Sequence, residues 1–303
     1  MHTKPNSNTI ASVKFTVIIP TYNRADKLKN CLKSLENQTF KDFEVVVADD
    51  GSTDHTKAIT ESFMNSRLNL RYIYNNNWGG PAFPRNKGIE AATGEWLCFL
   101  DADDWWYPAK LAVVAAHCND TTDFVYHDFD IYVNGKKNGK QHTGRTLKTP
   151  VFEDLFINDN CIVNSGACVR TSLIRQCGGF SEDREMIAVE DYDLWLRCAK
   201  QTNRFKYVSQ ILGGYDESGV DNITAQDNRQ IKRIDRIFAA HVTSLKSADL
   251  IQQATYNWSY KKALIYLKMQ DLKTARALLK QSACSRNGRI RLKSAMQYLR
   301  TFI

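Results

Sequence analysis

The sequence predicts an α/β protein: a mostly parallel sheet flanked by helices, followed by a C-terminal helical extension. Three observations predict it. Short, continuously apolar, β-branched runs such as FTVII at 15–19 and FEVVVA at 43–48 suit strands buried on both faces. Stretches with apolar residues at helical spacing lie between them, the alternation that builds a parallel sheet. Polar clusters stand directly after three of the runs, at Thr21-Tyr22-Asn23, Asp49-Asp50 and Asp101-Ala102-Asp103. Ligands of such sheets sit beyond the carboxyl ends of the strands.

Taken in order, the first strand covers 15–19 and is ended by Pro20 and Asn23. Leu28, Cys31, Leu32 and Leu35 then share one face of a helix. The second strand, 43–48, stops at Asp49-Asp50-Gly51-Ser52, and Ser52 or Thr53 is expected to cap a helix reaching about residue 65. A third strand is expected at 70–74, a loop at 75–80, and a helix at 84–92 closed by Gly94. The fourth strand, 96–100, is broken by Asp101-Ala102-Asp103-Asp104. A helix follows Pro108, and 124–133 reads as a strand with a turn at Asn134-Gly135. Residues 136–149 are polar and basic and read as a mobile loop; 166–170 reads as a strand and 191–199 as an amphipathic helix. From about residue 225 the pattern is helical, with Tyr260, Ala263, Leu264 and Leu267 on one stripe and a helical hairpin formed by 262–268 and 271–278. The organisation is therefore a first unit at 13–224 and a helical extension at 225–303.

The 303 residues are 43% apolar and 24% charged, ordinary globular composition that excludes a disordered or fibrous chain. No run of about 18 apolar residues is present to span a membrane. Residues 1–8 are polar and give no reason to expect a secretory signal. The eight cysteines form no CxxC pair, and several lie inside apolar runs, which fits reduced core thiols in the cytoplasm. The net charge of +8 belongs to the tail. Lys273 and seven later Lys and Arg residues are accompanied by no Asp or Glu, so residues 1–272 are formally neutral. A nucleic-acid-binding surface is not expected from that distribution.

Each polar cluster carries a chemical reading beside a plainer one, a solvated turn or a helix cap. Asp101, Asp103 and Asp104 repel one another unless a cation or donors compensate, and such oxygen ligands suit Mg²⁺ or Mn²⁺ shared with a phosphate. Asp50 can accept from a base or a ribose hydroxyl, with Gly51 allowing close approach to the backbone. Asp191 can serve as a carboxylate base, or with Glu190 can complement the dipole of the helix that starts there. Arg85 and Lys87 can reach a diphosphate or lie on a solvated helix face. There is no GxGxxG after a strand and no GxxxxGK[ST].

Together the clusters are far more specific. FTVIIPTYNR at 15–24, FEVVVADDGSTD at 43–54, RNKGI at 85–89, GEWLCFLDADD at 94–104, GGF at 178–180 and EDYDLWLR at 190–197 match in order and spacing. The chain resembles the family 2 glycosyltransferases over roughly 13–224. That resemblance implies a GT-A fold and inverting transfer of a hexosyl or N-acetylhexosaminyl group from a UDP-sugar. Carried over by position, Pro20, Tyr22 and Asp50 contact the nucleoside, Arg85 lies near the base or diphosphate, and Asp101 faces the ribose or the metal. Asp103 binds Mn²⁺ or Mg²⁺, and Asp191 is the general base. Many relatives carry a Tyr-Arg-x-His stretch after the last strand; here 214–224 has no His, leaving Glu217, Asp221 or water as a third metal ligand.

The resemblance also implies a saccharide acceptor, on an undecaprenyl diphosphate carrier in the case of O-antigen or capsule synthesis at the inner face of the cytoplasmic membrane. A sugar-nucleotide pyrophosphorylase would want a Gly-rich basic loop where Thr21-Tyr22-Asn23-Arg24 stands. A non-catalytic sugar-binding protein would have no need of Asp103 and Asp191. In the tail, Leu278, Leu279, Ile290, Leu292, Met296, Leu299, Phe302 and Ile303 are interspersed with eight cations. This suits either docking on an anionic membrane surface or packing on the preceding hairpin, and Gly288 argues for two short helices rather than one.

Overall fold

The computed structural model describes residues 14–64, 66–218 and 228–302. Strand β1 (Phe15–Thr21) is buried along its whole length because it is sandwiched between two apolar layers. Ile18 faces one layer with Leu97, Phe99 and Trp195. Phe15, Val17 and Ile19 face the other, against Leu28, Leu32 and Leu35 of helix α1 (Ala25–Glu36). Strand β2 (Phe43–Asp49), helix α2 (Thr56–Met64), strand β3 (Leu70–Tyr74), helix α3 (Ala82–Ala91) and strand β4 (Trp96–Phe99) complete the parallel part of the sheet, in the order β3-β2-β1-β4. Val17 pairs with Val45 on one side and Cys98 on the other, so the carboxyl ends of β1, β2 and β4 finish side by side.

Beyond β4 the sheet becomes mixed. The chain continues through β5 (Trp105–Trp106), α4 (Lys110–Ala115), β6 (Phe124–Val133), β7 (Lys136–His142), α5 (Val151–Asn158), β8 (Cys168–Arg170), α6 (Thr171–Gln176), α7 (Glu190–Gln201) and β9 (Phe205–Asp216). Strand β8 runs antiparallel to β4 and β6, β9 lies parallel to β6, and β5 closes the far edge on β9.

Two local readings of the sequence are corrected, and two elements were not foreseen. Residues 136–142, read as a mobile loop, form β7, the second arm of a hairpin with β6. Asn134 and Gly135 turn that hairpin with φ of 51° and 71°, the left-handed pair such tight turns require. The arm is exposed on both faces, so KKNGKQH carries no apolar alternation to reveal it. Helix α2 is capped by Asp54, whose Oδ1 accepts from the Thr56 N–H at 2.9 Å, and not by Ser52 or Thr53. Helix α5 and the long strand β9 had no reading at all, β9 because its buried residues are separated by exposed ones.

The extension consists of α8 (Asn228–His241), α9 (Ala248–Lys268), α10 (Leu272–Ser282) and α11 (Gly288–Arg300). The expected boundary at residues 224 and 225 lies outside the described residues. Ile237, Leu245, Ala254 and Trp258 join the same apolar cluster as Phe156 and Leu194, so the extension and the sheet share one core. Gln270, at φ 61°, reverses the chain between α9 and α10, which form the expected hairpin. Gly288 begins a separate helix, capped by Asn287 Oδ1 on the Arg289 and Ile290 N–H groups. The eight cysteines are free thiols, five of them buried. No helix among the described residues is long and apolar enough to cross a membrane.

A single buried carboxylate ties the parallel strands together. Glu44 on β2 accepts from Thr16 Oγ1 of β1 at 2.6 Å, from Thr93 N and Oγ1 at 2.7 and 2.8 Å, and from Arg71 Nη2 of β3 at 2.8 Å. Burial alone would raise its pKa, but the Thr16 and Thr93 hydrogen bonds and the Arg71 charge hold it below the usual value. Glu44→Ala is expected to cost about 3 kcal/mol in urea denaturation, because donors are left unsatisfied in the core. With the folded pKa depressed, this contribution is complete above the unfolded value of about 4.3 and is lost as pH falls through the folded one. The wild-type midpoint should therefore decline below about pH 4 more steeply than that of the variant.

Candidate active site

The loops after β1 and β2 are locked to each other. Asn23, at φ 49°, accepts through Oδ1 from the Thr53 N–H at 2.8 Å and donates its own N–H to Ser52 Oγ at 2.8 Å. Gly51 has φ +88°, and a Cβ there would stand 2.8 Å from Asn77 N, so only glycine fits this turn. The adjacent carboxylates Asp49 and Asp50 divide their work. Asp49 turns into the fold, accepting from the Ser52 N–H at 2.8 Å and the Tyr72 hydroxyl at 2.5 Å. Asp50 accepts from the Trp78 and Gly79 N–H groups, each at 2.9 Å, which fastens the 75–80 loop over the strand ends. Pro20 is buried at the end of β1 and Tyr22 is 48% exposed beside it.

The acidic cluster after β4 splits in the same way. Asp104 is buried, accepting from Ser165 Oγ at 2.5 Å and from the Asp216 N–H at 3.1 Å. It anchors the end of β9. Asp103 accepts from Arg24 Nη1 at 3.0 Å. Asp101 accepts from Arg85 Nη2 at 2.7 Å and Asn164 Nδ2 at 3.0 Å. Burial and the neighbouring Asp101 raise the Asp103 pKa against Arg24 and Lys27. Burial, Asp103 and Asp101 raise that of Asp104.

A divalent cation fits this donor set. The crowded carboxylates oppose one another's ionisation, which a cation would relieve. Among the described residues no three His, Cys, Asp or Glu side chains stand close enough to enclose an ion. Two carboxylates, Asp103 with Asp101, are nonetheless what Mg²⁺ or Mn²⁺ accepts when substrate phosphates and water complete the shell. Of the two suggested third ligands, Glu217 places Oε1 3.3 Å from His142 Nε2, and Asp221 lies outside the described residues.

Arg85 joins the two halves of the site. Its side chain is 4% exposed, with Nη2 on Asp101 and Nη1 on Glu190 Oε1, both at 2.7 Å, and its Cζ lies 5.1 Å from the centre of the Phe180 ring. Lys87, two residues on and therefore on the opposite side of α3, pairs with Glu90 at 2.8 Å and does not join it. Glu190 is buried, and its Oε2 has no partner among the described residues. Asp191 follows in the first turn of α7, partly exposed, with Oδ1 accepting from the Tyr192 N–H at 2.6 Å. Burial and the Glu190 charge push its pKa up to about 7, against the pull of Arg85. A cavity of about 820 Å³ opens beside Asp191, walled by Tyr192, Trp258, Lys261, Ile265 and Gln297.

The fold therefore brings Pro20, Tyr22, Asp50, Arg85, Asp101 and Asp103 to neighbouring strand ends and links them through Arg85 to the start of α7, where Asp191 stands. Sequence reasoning missed Arg24 and Asn164, for which no local signal exists, since both act on residues more than 60 positions away. It also missed the α9 wall of the cavity, although Trp258 and Lys261 lie one helical turn apart in a segment read as helical.

The chain matches the family model described as "Glycosyl transferase family 2" over residues 16–191. It is 34% identical over 136 residues to a GalNAc(5)-diNAcBac-PP-undecaprenol beta-1,3-glucosyltransferase of Campylobacter jejuni, a match covering 45% of this chain and 44% of that protein. It is 30% identical over 210 residues to an amylovoran biosynthesis glycosyltransferase of Erwinia amylovora, covering 67% of this chain and 69% of that one. The fold is shared with residues 1–349 of S. aureus TarS, crystallised in complex with UDP-GlcNAc. There the TM-score is 0.62 at 23% identity, with 88% of this chain and 90% of that one covered.

The electrostatics around Asp191 can be read without turnover. Glu190→Gln removes a like charge and frees Arg85 to face Asp191, so the Asp191 titration midpoint should fall below about 7 in carboxyl-carbon NMR. An unchanged midpoint would show that burial alone sets it.

Proposed function

The chain belongs to glycosyl transferase family 2, and we propose that it transfers a sugar from a UDP-sugar to a hydroxyl of a saccharide acceptor. The proposed reaction inverts the donor's α-linkage to a β-linkage and serves cell-surface polysaccharide synthesis of the O-antigen or capsule kind. The observation that carries this reading is the continuous polar chain from Asp101 through Arg85 to Glu190, ending beside a carboxylate poised near pH 7 at the mouth of a cavity.

In this reading the nucleoside lies against Pro20, Tyr22 and Asp50. Asp50 exchanges the Trp78 and Gly79 N–H groups for a donor on the base, a change confined to one loop. A divalent cation held by Asp103 with Asp101 would offset the charge on the departing diphosphate. Arg85 fixes the Asp101 carboxylate from behind and pairs with Glu190 next to Asp191. Asp191 accepts the proton of the acceptor hydroxyl as that oxygen bonds to the anomeric carbon. The bond from that carbon to the diphosphate breaks, its electron pair leaves with UDP, and a single displacement inverts the centre. No second nucleophile is required.

The Campylobacter relative is named for an undecaprenol-linked acceptor, and we extend that acceptor class to this chain. Such an acceptor would place the enzyme on the inner face of the cytoplasmic membrane. Helix α11 supports a peripheral attachment: Leu292, Met296, Leu299 and Phe302 are 63%, 48%, 65% and 61% exposed. They are accompanied by Arg291 and Arg300. Leu279, by contrast, is buried against the hairpin. An amphipathic basic helix of this kind binds the headgroup layer, with each cation near an anionic leaflet contributing about 1 kcal/mol.

Asp103→Ala is expected to abolish Mn²⁺-dependent release of UDP from a UDP-sugar while the protein stays folded. Asp191→Asn should lower turnover by roughly 10² to 10⁴ and leave UDP affinity by calorimetry unchanged, because it removes the base and not the donor site. Wild-type turnover should rise with pH through about 7 as Asp191 ionises. On vesicles, the full chain should co-sediment with anionic but not neutral lipid. Salt should weaken that binding, and Leu292→Ser with Leu299→Ser should abolish it; equal partitioning of variant and wild type would assign α11 to the fold alone.

A further inference from the structure

A second cavity, of about 490 Å³, adjoins the one beside Asp191. The two share Asp159 and Lys261 in their walls, and these residues form an ion pair with each other. The chambers differ in chemistry. The first has a mixed wall that includes apolar side chains of α8 and α9, with Trp258 stacked on Tyr192 at 6.1 Å and Lys261 Nζ 4.3 Å above the Trp258 ring. The second is lined by five cations, Arg145, Lys148, Lys261, Arg289 and Lys293, against two acids, Asp154 and Asp159.

Two of the five cations are spoken for. Arg145 is paired with Asp154 and Lys261 with Asp159. Lys148, just before α5, and Arg289 and Lys293, on α11, have no carboxylate partner among the described residues and line one cavity. Five cations face two acids along this wall, an excess of positive charge that a bound anion would neutralise. The donor's diphosphate is not that anion, since none of Pro20, Asp50, Asp101 and Asp103 lines either cavity.

We infer that the second cavity binds the phosphorylated end of the acceptor: a diphosphate that joins the acceptor saccharide to its lipid carrier. The saccharide then lies in the first chamber, with its free hydroxyl end at Asp191. The Lys261–Asp159 pair supplies polar groups where the chambers meet. Arg289 and Lys293 belong to the same helix, α11, that carries the exposed Leu292, Met296 and Leu299 on an adjacent face. A lipid-borne diphosphate arriving at the membrane-facing side would meet the cations first. The inference rests on the proposed lipid-linked acceptor and gives that acceptor its own binding site, separate from the donor's.

The test is calorimetry on the full chain saturated with UDP, so that the donor's diphosphate site is filled. Farnesyl diphosphate, inorganic pyrophosphate and farnesol are titrated in turn, without vesicles, into wild type and into the triple variant Lys148→Gln, Arg289→Gln, Lys293→Gln. All three positions are exposed, so the variant should keep the wild-type urea midpoint. The expected result is binding of both diphosphates by wild type and at least a tenfold loss in the triple variant, with farnesol binding unchanged. Equal affinity of variant and wild type for farnesyl diphosphate overturns the inference. Binding of inorganic pyrophosphate without farnesyl diphosphate also overturns it, since the cavity would then take a free anion. UDP affinity is read in the same experiment. A chain that binds farnesyl diphosphate but not UDP would refute the donor assignment and leave this site standing.

Discussion

The site depends on one buried guanidinium. Arg85 is almost wholly withdrawn from water, and only two carboxylates, Asp101 on the strand-end side and Glu190 at the start of α7, make that burial tolerable. The planar fork of arginine reaches both at once, one nitrogen to each, in a way the single ammonium of lysine cannot. The same contact determines charge. Glu190 stays paired and therefore exerts its field on Asp191, which burial has already pushed upward. The position of Asp101 and the basicity of Asp191 are thus two consequences of one interaction.

Around that clamp, neighbouring carboxylates are sorted by direction. Asp49, the last residue of β2, and Asp50, just beyond it, are both buried. Asp49 becomes the acceptor that holds its own turn and Tyr72, while Asp50 holds the loop that carries Trp78 and Gly79. Asp104 is likewise consumed in fastening β9 through the Asp216 N–H, while Asp101 and Asp103 remain at the strand end. Backing of this kind makes the strand-end carboxylates rigid, the condition a site needs for precise positioning.

The helical extension is not an appendage to this arrangement. Trp258 donates through Nε1 to the Phe156 carbonyl at 2.8 Å and Tyr192 donates to the Leu155 carbonyl at 2.9 Å, so α9 and α7 are both fixed to α5. The cavity beside Asp191 exists because α9 stands across from α7. What the extension presents outward is different: a helix whose Leu292, Met296 and Leu299 are exposed and whose Arg289 and Lys293 line a cavity.

The sequence by itself determined the parallel half of the sheet, the strand ends at which Asp50, Asp101 and Asp103 stand, the start of α7 at Asp191 and the break at Gly288. These features are written in local periodicity and in turn chemistry, each legible within about a dozen residues. Tertiary structure alone decided the rest. Strand β7 is polar on both faces and is a strand only because β6 offers it a ladder. The roles of Arg24 and Asn164 arise from contacts across 79 and 63 positions, and the Arg85–Glu190 pair from one across 105. Which of two adjacent aspartates faces the site, and that Trp258 walls it, depend on how distant segments pack. Local sequence fixes which groups are available at a strand end; only the folded chain fixes which of them meet.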